Sequence, residues 1–153
     1  MRSKKLSQED VRLQLATSMS QLVEQSRGIF SKDMSYEEFI NKTFEGNKIE
    51  TQVGNDLMKK AYEFLSKDVK SDEIIKNYNG KEMGAVTLDA GFNCSKKDAV
   101  TAVFGNEIAN SNMGESLVAN KGCGWFSWLC DAAEWIWKNR KEILEVAAAI
   151  LAL

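Results

Sequence analysis

Residues 51 to 65 read Thr-Gln-Val-Gly-Asn-Asp-Leu-Met-Lys-Lys-Ala-Tyr-Glu-Phe-Leu, and this stretch decides the fold class. Val53, Leu57, Met58, Ala61, Phe64 and Leu65 fall on one stripe of a 3.6-residue helix, with polar side chains on the other side. The pattern predicts an amphipathic helix starting near Thr51 that buries this stripe against other helices.

Upstream, Ser7 followed by Asp10 has the spacing of a capping box, and Val11, Leu15, Met19, Leu22 and Val23 recur at helical intervals, predicting a helix over residues 8–28. Ser35 with Glu38 forms a second capping box, opening a short helix through Phe39, Ile40 and Phe44 that stops near Gly46. Downstream, Ser71 is placed to cap a brief helix through Ile74, Ile75 and Tyr78 that ends at Asn79 and Gly80. Lys81 to Asn93 is the least regular segment: one short strand, or an extended crossing loop. Ser95 and Asp98 open a helix through Phe104, and a second piece is expected from Glu107 to Val118.

The expected class is therefore all-α: a small bundle of about five to seven helices with a long Trp-rich helix at the C-terminal end. The chain has 153 residues, 44% hydrophobic and 27% charged, about one ordinary domain that can bury a core without disulfides. Proline is absent, so breaks come from Gly, Asn, Ser and Asp, which favours helices joined by short polar turns. Gly122-Cys123-Gly124 is the best internal boundary, dividing a helical region 1–121 from a segment 122–153 that can pack in the same domain.

Several function classes are disfavoured. The net charge of -2 is spread evenly, with eight basic and eight acidic residues over 1–50, eight and ten over 51–120, and four and four over 121–153. Without clustered Lys and Arg, nucleic-acid binding lacks its electrostatic driving force. No histidine is present, which removes the commonest general base, the commonest zinc ligand and every Ser-His or Cys-His pair. No catalytic, cofactor or metal residue is assigned, and no enzyme activity is expected. Adjacent carboxylates, Glu37 with Glu38 and Asp72 with Glu73, read as solvated first-turn residues that complement a helix dipole. The glycines form no nucleotide-binding loop.

The segment after residue 121 has another character. Trp125, Phe126, Trp128, Leu129, Trp135, Ile136 and Trp137 place all four tryptophans within thirteen residues, and Ile143, Ile150 and Leu151 extend the apolar face. One helix of up to about 29 residues would span roughly 43 Å. It is read either as the core helix of the bundle or as a surface that enters the membrane-water interface, where indole rings sit at headgroup level. Pore formation on the membrane would require self-assembly, because one half-polar helix cannot satisfy lipid on all sides. Cys123 and Cys130 lie about 10.5 Å apart along a continuous helix, too far for a disulfide. They pair only if the chain folds back at Gly122 and Gly124; otherwise they are reduced, buried thiols. Cys94 is the remaining cysteine.

Gly122-Cys123-Gly124-Trp125-Phe126-Ser127-Trp128-Leu129-Cys130, with the Ala-rich end that follows, resembles the mature part of small bacteriocin precursors, which join a polar leader to a membrane-active peptide. The resemblance covers about the last 32 residues and implies action on membranes by this tail. The residues before it form a longer and more foldable region than a usual leader, no Gly-Gly doublet marks a processing site, and the tail has no cationic excess. The expected function is thus bacteriocin-like or toxin-like, with a lipid membrane as partner. The alternative is a small interaction module, such as an immunity, adaptor or inhibitor protein, whose C-terminal helix is core or binds a protein partner. No uninterrupted apolar stretch opens the sequence, so secretion would use a route without a visible signal peptide, or the protein is cytoplasmic.

Overall fold

The computed structural model describes residues 8–78 and 96–118, and these residues are mostly helical. Seven helices occur among them, with no strand: α1 (Gln8–Ser26), α2 (Tyr36–Thr43), α3 (Gln52–Ser66), α4 (Ser71–Asn77), α5 (Lys96–Phe104), α6 (Asn106–Ala109) and α7 (Asn112–Val118). α1 packs on α4 and α3, α3 on α2 and α5, and α5 on α6 and α7.

The stripe that opened the sequence reading is the heart of this arrangement. Leu57, Met58, Ala61 and Leu65 of α3 are buried, while Val53 and Phe64 are partly buried against them. From α1 come Leu15, Met19, Leu22 and Val23, all buried at their expected spacing. Phe39 and Phe44 from the α2 region, Ile74 from α4, and Val100, Val103, Phe104 and Ile108 from α5 and α6 complete one continuous cluster. Each fully buried side chain of this size is worth about 1.5–3 kcal/mol, against about 0–1 kcal/mol for an exposed ion pair. Apolar burial therefore dominates over the surface pairs Lys60–Glu63 and Lys67–Glu63.

Helix ends follow local chemistry. The Ser35 capping box forms: its hydroxyl accepts from the Glu38 amide at 3.1 Å, and the Glu38 carboxylate accepts from the Ser35 amide. α2 ends at Thr43 with Phe44 as its cap, and the Gly46 amide closes onto the Asn41 carbonyl at 2.8 Å, near the predicted stop. Thr51 caps α3 by accepting from the Gly54 amide at 3.0 Å, and its own hydroxyl donates to the Val103 carbonyl of α5. Gly54 is needed at this crossing, since a methyl group there would run into the same carbonyl and lie 2.9 Å from the Ile49 side chain.

Three expectations are corrected. α1 stops at Ser26 rather than 28, because the Ser26 carbonyl turns the chain by accepting from both Ile29 and Phe30. Ser71 does not cap α4: Lys70 holds that position without a side-chain bond, and the Ser71 hydroxyl donates instead to Glu24 of α1 at 2.8 Å. The piece expected from Glu107 to Val118 is two helices, because Ser111 starts a new one by accepting from the Gly114 amide at 3.0 Å. α4 ends at Asn77, with Tyr78 buried edge-on to Phe64 at 5.9 Å. Asn79 and Gly80, residues 81–93, the caps assigned to Ser7 and Ser95, and the helix expected over 122–153 lie outside the described residues.

Candidate functional site

Every residue assigned to membrane or partner contact from the sequence, from Trp125 to Leu151, lies outside the described residues, as do Cys94, Cys123 and Cys130. Within them, a groove of about 530 Å³ lies between α2, α3 and the loop that joins them and gathers several polar side chains.

Tyr36 is its centre. The Ser35 capping box starts α2 so that Tyr36 is its first residue. Tyr62 of α3 donates to the Met34 carbonyl at 2.6 Å, anchoring the chain just before that cap. The Tyr36 and Tyr62 rings meet edge-on at 5.8 Å, and Tyr62 in turn contacts Phe30 and Phe39 at 5.7 and 5.8 Å. This aromatic cluster holds the Tyr36 ring in place, as edge-on pairs at such distances are attractive.

The Tyr36 hydroxyl donates to the Asn55 side-chain oxygen at 2.9 Å. Asn55 is held from the other side, its amide nitrogen donating to the Thr51 carbonyl at 3.3 Å. One helical turn beyond Asn55, the Lys59 ammonium sits 5.7 Å from the centre of the Tyr36 ring, within cation–π range. Burial, reinforced by the charges of Asp56 and Glu37, pushes the Tyr36 hydroxyl up to about 12. It therefore stays a neutral donor at ordinary pH and serves to position groups, not to exchange protons.

The opposite wall is the loop over residues 44–50, which is stitched in place. Asn47 donates to the Phe44 carbonyl at 2.8 Å, and Ile49 is buried. The Lys48 amide donates to the Glu107 carboxylate at 2.5 Å, the Glu107 amide donates back to the Glu50 carboxylate at 2.7 Å, and the Glu50 amide donates to the Phe104 carbonyl at 2.9 Å. Gly105 completes the clasp with φ 98° and ψ 176°, a conformation essentially restricted to glycine. The loop is thus bound to the α5–α6 junction.

Lys48, Lys59, Asn41 and Asn47 line the opening above a floor that includes Ile40 and Ile49, with Glu37 on the same lining. These groups can grip a ligand by charge, by carboxamide pairing and by apolar contact. Among the described residues no cluster of three acidic, cysteine or histidine side chains is placed to hold a metal ion. The carboxylates of Glu37, Glu38, Asp72 and Glu73 are exposed first-turn residues, as expected.

Sequence reasoning missed this groove because its members are spread over residues 36–59 and form no motif. The only local signal was Asn55 with Lys59 on one face of α3. No helix among the described residues is long and apolar enough to cross a membrane. No family model, curated protein or solved structure matches the chain.

Proposed function

We propose that the chain is a bacteriocin-like or toxin-like protein that acts on membranes through a Trp-rich amphipathic helix over residues 122–153, carried by a helical domain. The observation that supports this reading is the concentration of all four tryptophans within residues 125–137, next to a region whose described helices form an apolar cluster of their own from Leu15 to Ala109. A bundle core thus exists among residues 8–118. Trp125, Trp128, Trp135 and Trp137 anchor at the interface, where amphipathic rings are favoured, and the apolar end of the chain enters next to them.

The test is tryptophan emission of the intact protein with and without lipid vesicles, paired with release of a trapped dye. The expected result is a blue shift appearing only with vesicles, and dye release that is lost in Trp125→Ala/Trp128→Ala. Emission already blue and unchanged by lipid, with no release, overturns the reading.

A second reading, a small interaction module of the immunity, adaptor or inhibitor kind, is favoured by the groove at Tyr36. There the C-terminal helix is core or a partner surface, so deleting residues 122–153 unfolds the rest. The membrane reading expects residues 1–121 to stay folded.

A further inference from the structure

We propose that the surface met by residues 122–153 is a zwitterionic lipid bilayer rather than an anionic one, and that binding to it is insensitive to salt; the inference rests on the membrane reading above. Its basis is the distribution of charge. Attraction to an anionic leaflet needs an excess of Lys and Arg, each worth about fivefold in affinity near the surface, and the tail has no such excess, with four basic and four acidic side chains over residues 121–153. On the proposed helix Glu134 stands one turn before Lys138, Lys138 one turn before Glu142, and Lys141 one turn before Glu145. Cations and carboxylates then lie within a Debye length of about 10 Å of each other, and lipid headgroups meet their sum.

The helical domain does not supply the missing cations. Residues 8–78 and 96–118 hold twelve basic and sixteen acidic side chains, a formal net charge of -4. Among them Arg27 lies against Glu24 and Asp68, and Lys60 and Lys67 lie against Glu63. The basic run at the start of the chain, Arg2, Lys4 and Lys5, is followed by Glu9 and Asp10. A domain of this charge does not draw the tail toward an anionic leaflet. The attraction that is left is apolar. Trp125, Phe126, Trp128 and Leu129 lie in an uncharged run from Gly122 to Cys130, and residues 146–153 form a second one. Burial of apolar area and seating of indole rings depend on the boundary between headgroups and hydrocarbon, not on headgroup charge, and sodium chloride does not screen them.

The experiment uses the full chain and two kinds of vesicle, phosphatidylcholine alone and phosphatidylcholine mixed equally with phosphatidylglycerol, each at low and at high sodium chloride, where electrostatic attraction is present and screened. Tryptophan emission titrated with lipid reads affinity, since all four indoles lie within residues 125–137. Affinity for phosphatidylcholine is expected to equal or exceed that for the mixed vesicle, and to change by less than about twofold with salt. Glu142→Lys/Glu145→Lys turns the balanced segment 121–153 into one with a net charge of +4, and is expected to create a preference for the mixed vesicle of at least about tenfold at low salt that disappears at high salt. A preference of the parent chain for the mixed vesicle of about fivefold or more overturns this inference and leaves the membrane reading standing. A double variant with no new preference does the same, because charge would then not govern the choice of surface. Binding to neither vesicle overturns the membrane reading and this inference with it.

Discussion

Replacing Gly105 by alanine tests the clasp that holds the groove wall. With φ 98° and ψ 176°, this residue occupies a region that costs a side-chain-bearing residue about 1–3 kcal/mol. The added methyl would also lie 2.5 Å from the Glu50 Cβ and 2.7 Å from a Glu50 carboxylate oxygen, well inside the carbon–carbon optimum of about 3.5–4.0 Å. The Glu50 carboxylate can swing away, but it then gives up its bond to the Glu107 amide, worth about 1 kcal/mol. Its Cβ moves only with the main chain, whose amide is bonded to the Phe104 carbonyl at 2.9 Å. Reduced freedom of the unfolded chain offsets about 0.4–1 kcal/mol of this. The net loss is about 3 kcal/mol, which in a chain of this size lowers Tm by about 6–12 °C. Thermal unfolding followed by circular dichroism at 222 nm reads the change. Gly28→Ala is the control, since nothing lies within 4 Å of a methyl there, and its effect should stay within about 0.5 kcal/mol. A Gly105→Ala Tm within about 2 °C of the parent would refute the reasoning from backbone region and contact.

Two pH dependences follow from the same geometry. Because the Tyr36 hydroxyl is raised to about 12, folding keeps it protonated while the unfolded chain ionises from its ordinary value of 10.0, so its contribution is intact below pH 10 and is lost as pH rises toward 12. As the residue is half-buried, the loss is about 1 kcal/mol after solvent screening. Ultraviolet titration should show a tyrosine step near pH 12 that is lost in Tyr36→Phe; an unchanged titration contradicts the assignment. At the acid end, the bond from Ser71 and the neighbouring Arg27 hold the Glu24 carboxyl below its ordinary 4.5, so the stabilisation is present above that value and disappears as pH falls through it. Glu24→Gln should therefore be less stable than the parent in urea at pH 7, with the gap closing toward pH 3. Parallel stabilities across that range would show that this link between α1 and α4 carries no charge-dependent energy.

The course of the chain through its helices was legible from residue order, because burial repeats every 3.6 residues and caps are made by neighbours. The α3 stripe, the buried α1 positions Leu15, Met19, Leu22 and Val23, and the Ser35–Glu38 capping box each need only residues within a few positions of one another. Local signals failed where the deciding partner is distant. Ser71 has the chemistry of a cap but faces Glu24, forty-seven residues away, and takes that bond instead. The same holds for the groove. Tyr36, Lys48, Asn55 and Lys59 are unremarkable polar positions in the sequence, and they become a site only when α2 lies on α3 and Glu107 and Phe104 fasten the loop from the far end of the described chain. The sequence by itself determined the helices, their apolar faces and the concentration of tryptophan after residue 121, since these depend on side-chain periodicity and composition. Only the tertiary structure decided which exposed polar groups converge, because hydrogen bonds such as Glu107 to Lys48, fifty-nine residues apart, are made by the packing of helices and leave no periodic trace along the chain.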